Sequence, residues 1–520
     1  MNAWLILPIA WPLAAGALGL ALSGSNTAQR LIAVIGAVGQ LVAAVVLLLT
    51  VNAQGTQVLH MGSWPAPFGI SLVADHFASF VLVAGSLAGC ASVIFAALTV
   101  GRQRLTHGYF VLTNVLLAAV AGAFLTGDLF NLYVWFEVML IASFVLLAMG
   151  PYPRQAAGAT NYVALNLVAS ATFLVGAGVA YALTGTLNFA DLALRLPLVE
   201  SRPLVLILAA LLIAAFASKA AAYPLSAWLP SSYHTPAPDV SALFAGLLTK
   251  VGVYALARSV TLFFPEDALV RNVVLGLAGL TMLVGVFGAL AQFNMRRLLS
   301  FHIASQVGYM LMGLGLLTPL ALAGTTFYMA QHMITKTALF LVAGVVERRT
   351  GTGYLKRLGG LYRTNLALTV VFALAALSLA GIPPFAGFVA KFTLVRAGTA
   401  VESWVIVGIS IVVSLLTLMS MVKIWNEAFW KDRPEGEVEH DAARMHALPR
   451  SVPRWVVILP AGTLALASVA MGFAAGPLME YAIAAGEELA DRSVYIEAVL
   501  GEDAWADLET MTVEAMEASR

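Results

Sequence analysis

The chain is poor in two things a soluble domain relies on, charge and covalent cross-links. Only 11% of its 520 residues are Asp, Glu, Lys or Arg, against about a quarter in an ordinary soluble domain. A single cysteine, Cys90, excludes an intramolecular disulfide framework and a cysteine-rich metal site. Also missing are a Walker sequence, a G-x-G-x-x-G turn after a strand, a G-x-S-x-G elbow and a pair of histidines on facing spans suited to haem. These absences argue against ATP-driven or cofactor-driven chemistry by this chain alone. No cofactor, metal or nucleic-acid partner is expected. The first apolar run has no basic leader and is followed by many others, so it reads as a helix rather than a signal peptide.

What the chain has in abundance is apolar length. It is 60% hydrophobic, with a mean hydropathy of +0.89. Runs long enough to cross a bilayer recur at 3–22, 31–51, 77–99, 108–126, 128–148, 159–183, 203–229, 239–264, 272–292, 297–316, 319–346, 365–396, 402–429 and 455–475. The expectation is an all-α polytopic membrane protein with fourteen spans. With fourteen, the loops alternate sides, and Lys and Arg divide sixteen to six between the two. The basic side is expected to be cytoplasmic, which places both termini outside a bacterial plasma membrane.

Two spans carry proline breaks. Pro224 frees the carbonyl of Ala220 in span seven, and Pro383-Pro384 frees those of Leu379 and Ala380 in span twelve. Spans seven and twelve are five apart, so spans four to eight (108–264) and nine to thirteen (272–429) read as two inverted five-helix repeats with discontinuous seventh and twelfth members. Residues 1–107 hold the first three spans, and 430–475 a cytoplasmic loop and the last. From Glu480 on, eleven acidic residues face two arginines. The expectation for 476–520 is an acidic, partly helical, soluble tail on the outer face, or a docking segment for a neighbouring subunit.

Charge inside a span is costly and usually marks an ion path. Six titratable groups fall well inside spans: Glu137, Lys219, Lys250, His332, Lys336 and Lys391. Glu137 lies about 15 Å from Asp128 along its helix, near mid-bilayer. Lys219 is its natural partner, because a lysine–glutamate pair holds two charges together or exchanges a proton when parted. Gly246 and Gly252 beside Lys250 allow close backbone approach. His332 and Lys336, four apart, share a helix face, and an imidazole that donates at one nitrogen and accepts at the other suits a relay. Asp75, His76, Asp128, Asp239, Arg258, Lys423 and Glu427 lie nearer helix ends and read as caps or interfacial groups.

The residues carrying these features resemble a known family. T-G-D-L-F-N-L-Y-V-W-F-E at 126–137, F-A-S-K-A-A-A-Y-P-L-S-A-W-L-P at 216–230, S-A-L-F-A-G-L-L-T-K at 241–250 and G-I-P-P-F-A-G-F-x-x-K at 381–391 are similar to the antiporter-like family. That family comprises the proton-pumping membrane subunits of respiratory complex I, related hydrogenase subunits and the large subunits of Mrp-type multisubunit Na+/H+ antiporters. The stretch T-G-T-L-N-F-A-D-L at 184–192 looks most like the Mrp branch. The resemblance implies a mid-membrane polar axis of Glu137, Lys219, Lys250, His332, Lys336 and Lys391, along which protons pass. It also implies the other Mrp-type membrane subunits (the A, B, C, E, F and G types) as partners, with sodium moved elsewhere in the complex. Lys336 departs from the pattern, standing where some branches carry a second histidine. Three other readings are a complex I or hydrogenase pump subunit, a scaffold subunit with an inactive axis, and a stand-alone carrier.

Overall fold

In hydrocarbon every backbone N–H and C=O must be bonded within the segment, so long apolar runs become helices. The computed structural model describes residues 3–150, 152–434 and 455–501. Most of the loop expected at 430–454, and the end of the tail from 502, lie outside the described residues.

Seventeen helices of nine residues or more run through the described residues. The first eleven match the first eleven expected spans: α1 (Leu7–Ala21), α2 (Asn26–Gln54), α3 (His76–Thr99), α4 (Tyr109–Leu125), α5 (Leu129–Ala148), α6 (Pro153–Thr184), α7 (Arg202–Ala220), α8 (Pro238–Arg258), α9 (Ala268–Leu290), α10 (Met295–Leu316) and α11 (Pro319–Thr350). The twelfth span is two helices, α12 (Leu366–Ala380) and α13 (Ala386–Ala400). Then come α14 (Trp404–Ile424), α15 (Leu459–Phe473), α16 (Ala475–Ala490) and α17 (Arg492–Leu500). Eleven helical segments are long and apolar enough to cross a membrane. Outside that group stand α4, the two halves α12 and α13, the tail helices α16 and α17, and α10, which is interrupted by Arg296, Arg297, His302 and Gln306. Among the described residues the only strands form a single hairpin. Strands β1 (Gln57–His60) and β2 (Ser71–Ala74) form an antiparallel hairpin with Gln57 opposite Ala74, leading into α3.

Several groups near helix ends do act as caps. The carboxylate of Asp75 accepts from the Ala78 amide at 2.8 Å, and that of Asp128 from the Asn131 amide at 2.7 Å. Such caps satisfy amides the helix leaves open. The buried ion pairs also sort by membrane side. Arg104 and Arg348 meet Asp239 at 3.1 and 3.8 Å, and Arg296 meets Glu347 at 2.7 Å. All five groups lie on the side that the loop alternation makes basic. On the other side Arg258 meets Asp75 at 2.6 Å. Each of these pairs joins groups that the alternation puts on one face.

Through Gly501, the acidic tail folds back onto the bundle rather than standing free. Tyr481, Ala482, Ala485 and Leu489 of α16 are buried while Glu480 and Glu487 face outward, an amphipathic period that a count of charges misses. The Tyr481 hydroxyl lies 2.6 Å from Ser79 Oγ, and Glu488 pairs with His76 at 2.7 Å. Gly486 sits so close to α11 that a Cβ there would come within 2.3 Å of the Pro319 carbonyl oxygen. Tyr495 of α17 places its ring 5.1 Å from the Arg258 guanidinium.

Helix α8 is buried over its whole length and α11 from Ala321 to Val346, and the two pack against each other. They form the axis around which the other spans stand.

Candidate functional site: a buried line of basic groups

Lysine on an enclosed helix cannot snorkel to a headgroup layer, so its ammonium must find oxygens inside the protein. All four predicted lysines do. At the end of α7, Lys219 Nζ donates to Ser170 Oγ at 2.8 Å and to the Asn166 carbonyl at 3.3 Å, both on α6. It also lies 5.4 Å from the centre of the Phe136 ring. Lys250 Nζ turns back to the Ala245 carbonyl of its own helix at 2.5 Å. Lys336 Nζ reaches the Leu299 carbonyl of α10 at 3.3 Å. Lys391 Nζ takes three oxygens: the Leu379 and Ala380 carbonyls at 3.1 Å each and Ser414 Oγ at 3.0 Å. Leu379 and Ala380 are the carbonyls that the proline break was expected to free. Among the described residues none of the four lysines has an ion-pair partner.

The expected closed pair of Glu137 with Lys219 is not formed. Lys219 is docked on α6 instead, with the Phe136 ring beneath it. Glu137 is half-buried, and its Oε1 is enclosed without a hydrogen-bond partner. The two remain within electrostatic reach of each other.

Around α11 the groups draw together. His332 is fully buried with neither ring nitrogen hydrogen-bonded, and its ring stacks on Tyr328 at 6.3 Å. Lys250, Lys336, Lys391 and His302 all lie within electrostatic reach of it. The axis is knitted to α8 by small residues. A Cβ on Gly246 would sit 2.2 Å from Thr337 Oγ1 of α11, and one on Gly252 only 2.4 Å from the Ala220 amide nitrogen beside Lys219. These are the close approaches that the glycines flanking Lys250 were expected to permit.

Sequence reasoning missed His302. It lies fully buried on α10, with Nε2 hydrogen-bonded to Ser420 Oγ and Nδ1 unpartnered. The signal was present, since a histidine seven residues into α10 is as anomalous as one in α11. Neutral polar groups were missed too: Tyr328 donates to Gln306, whose amide reaches Thr417 at 3.5 Å.

The site thus gathers titratable groups inside the bundle: Glu137, Lys219, Lys250, His332, Lys336, His302 and Lys391. Each is held by neutral oxygens or left open.

Comparison with known proteins points the same way. Residues 126–417 match the family described as NADH:quinone oxidoreductase/Mrp antiporter, transmembrane. The D-type Na(+)/H(+) antiporter subunit of Alkalihalophilus pseudofirmus is 43% identical, covering 96% of this chain and all of its own length. That of Bacillus subtilis is 37% identical over the same shares. A chain in the solved Mrp complex from a Dietzia species superposes with a TM-score of 0.88 at 33% identity, covering 96% of this chain and all of its own. The enclosed lysine–histidine line and these whole-length matches make the chain a member of the NADH:quinone oxidoreductase/Mrp antiporter transmembrane family.

Proposed function

We propose that this chain is the D-type subunit of a bacterial multisubunit Na+/H+ antiporter and carries the proton part of its exchange. Its partners are the other Mrp-type membrane subunits, and sodium moves elsewhere in the complex. The observation that carries the reading is the set of buried lysines that form no ion pair among the described residues, threaded through α8, α11 and both broken helices. A buried charge with no partner is costly unless it can be given up, and giving it up is what a relay does. Lys219 docked on α6, with Glu137 left open, is one of the two arrangements that a lysine–glutamate switch needs. Helices α4–α8 and α9–α14 are read as inverted copies, with both termini on the outer face. The relatives matched along their full length are named antiporter subunits, which favours this reading over a redox pump subunit.

The test is Lys219→Ala in the assembled complex. Membrane vesicles carrying it should lose Na+/H+ exchange, with the complex assembled at its normal level by native gel. Normal exchange in those vesicles would overturn the relay. The subunits that co-purify with the chain separate an antiporter from a redox assembly, which would bring flavin or iron–sulfur subunits.

A further inference from the structure

One polar cluster in the bundle belongs to none of the charged groups. Gln331 Nε2 donates to Thr335 Oγ1 at 2.9 Å and to Ser378 Oγ at 3.1 Å. Thr335 Oγ1 lies 3.0 Å from Ser468 Oγ, and Ser468 Oγ lies 2.7 Å from Ser378 Oγ. The four side chains therefore close a ring that joins α11, α12 and α15. All four are at most 1% exposed. Thr335 stands immediately before Lys336 and three residues after His332. Ser378 immediately precedes Leu379 and Ala380, whose carbonyls hold Lys391. A Cβ on Gly387, in the first turn of α13, would lie 3.3 Å from Gln331 Nε2 and 1.7 Å from the Ser378 carbonyl oxygen, so the ring is wedged into the break between α12 and α13.

The donor count of this ring is informative. Gln331 spends both amide hydrogens on the two end hydroxyls and so fixes them in place. Thr335, Ser468 and Ser378 then share three hydroxyl hydrogens, and each link between them can run in either direction. In one sense Thr335 donates to Ser468 and Ser468 to Ser378; in the other the order is reversed. When a proton arrives at Thr335 Oγ1, the hydrogen already there passes to Ser468, that of Ser468 passes to Ser378, and that of Ser378 leaves. Three O–H bonds break and three form, no charge stays behind, and the ring is left in the opposite sense.

We propose that Thr335, Ser468 and Ser378, oriented by Gln331, form a reversible hydroxyl bridge that passes protons between the His332–Lys336 turn of α11 and Lys391 at the broken helix. Ser468 is its middle member and comes from α15, which lies outside both five-helix units. The inference rests on the proton-relay reading above. Helix-to-helix glue is the competing role for such hydroxyls, and the two roles differ in what a methyl-for-hydroxyl exchange does.

The test compares Ser468→Ala with Ser468→Thr in vesicles of the assembled complex, with Lys391→Ala alongside. Ser468→Ala should lower the initial rate of exchange about a hundredfold at unchanged assembly. Ser468→Thr, which restores the hydroxyl, should return to within about threefold of wild type. Thr335→Val, an isostere without the hydroxyl, should match Ser468→Ala and serves in its place if that variant fails to assemble. Wild-type rates in the alanine or valine variant, with or without a loss of thermal stability, would overturn the bridge. If Lys391→Ala silences exchange while Ser468→Ala does not, the bridge alone falls. If Lys391→Ala is also fully active, the relay reading falls first.

Discussion

The two broken helices begin alike and end differently. Each first half closes on a residue in the left-handed region, Ala221 at φ +60° and Gly381 at φ +86°. Each break has the same wrapped-back bonds: the Ala222 amide to the Ala217 carbonyl at 2.8 Å, and the Ile382 amide to the Leu377 carbonyl at 3.2 Å. Yet Lys219 precedes its break and leaves it for α6, whereas Lys391 follows its break and settles on the carbonyls the break exposes. At the first break the indole of Trp228 takes the nearby Ser218 carbonyl instead, at 2.9 Å. The same backbone device is thus wired in two ways. The first lysine is tied to a neighbouring helix and answers to the spacing of α5 and α6. The second is tied to the other half of its own broken span, with Ser414 of α14 as a third partner.

The strongest way to break this comparison is at the left-handed residues. A Cβ on Gly381 would meet Lys391 Cδ at 2.8 Å, and the backbone there costs a non-glycine residue about 1–2 kcal/mol. Gly381→Ala should push Lys391 off its carbonyls and cut exchange by about a hundredfold, with a lower melting temperature. Ala221→Gly, which relieves the corresponding position, should alter exchange by less than about twofold. Equal effects of the two, in vesicle exchange assays, would show that the breaks are equivalent after all.

A smaller contrast lies in the hydroxyl partners. Lys219 has one hydroxyl and one long carbonyl contact, while Lys391 keeps two carbonyls if its hydroxyl is lost. A hydrogen bond to a charged group contributes about 1.5–3 kcal/mol. Ser170→Ala should therefore slow exchange about tenfold, and Ser414→Ala by less than about threefold. A larger loss at Ser414 would refute the difference in wiring.

The smallest expected effect concerns acid. The segment crossing the first break contains His234, while Gly381-Ile382-Pro383-Pro384-Phe385 contains no titratable side chain. Burial, with the Arg296 and Arg297 charges nearby, pushes the His234 imidazole down to about 4 from its ordinary 6.5. The folded protein thus resists a proton that the unfolded chain accepts. His234 costs nothing above pH 6.5 and lowers stability progressively as pH falls from there towards 4. Thermal unfolding of the purified chain should show His234→Gln losing less stability than wild type over that window and none above it.

Much of this was legible in the residues. Proline chemistry alone named the Leu379 and Ala380 carbonyls that bind Lys391, because a missing N–H is a local property. The glycines beside Lys250 announced a close approach, and the first eleven helices fell where apolar length put them. Pairing across helices was not legible. Glu137 and Lys219 are complementary on paper, but the rotation of α5 and α7 about their axes decides that Ser170 and Asn166 are nearer. The tail was misjudged because its charges lie on one face of α16 and the packing residues on the other. The hydroxyl ring could not be seen at all, since Ser and Thr cost little in a span and only become conspicuous when three helices bring them together.

The enclosure of α8 and of α11 from Ala321 to Val346 has a consequence for how the protein is made. Helix α11 has a mean hydropathy of 1.4 over its most apolar window, against 2.7 for α2. Alone in lipid it would present His332, Lys336 and Gln331 to hydrocarbon, where a central lysine costs about 2.5–3.5 kcal/mol even on the mildest scale. Neither it nor α10 has a durable place in the bilayer until neighbours supply oxygens to its polar groups. Biogenesis must therefore gather the outer helices around the central ones as the chain leaves the insertion machinery, and residency in the membrane becomes a property of the bundle rather than of each segment.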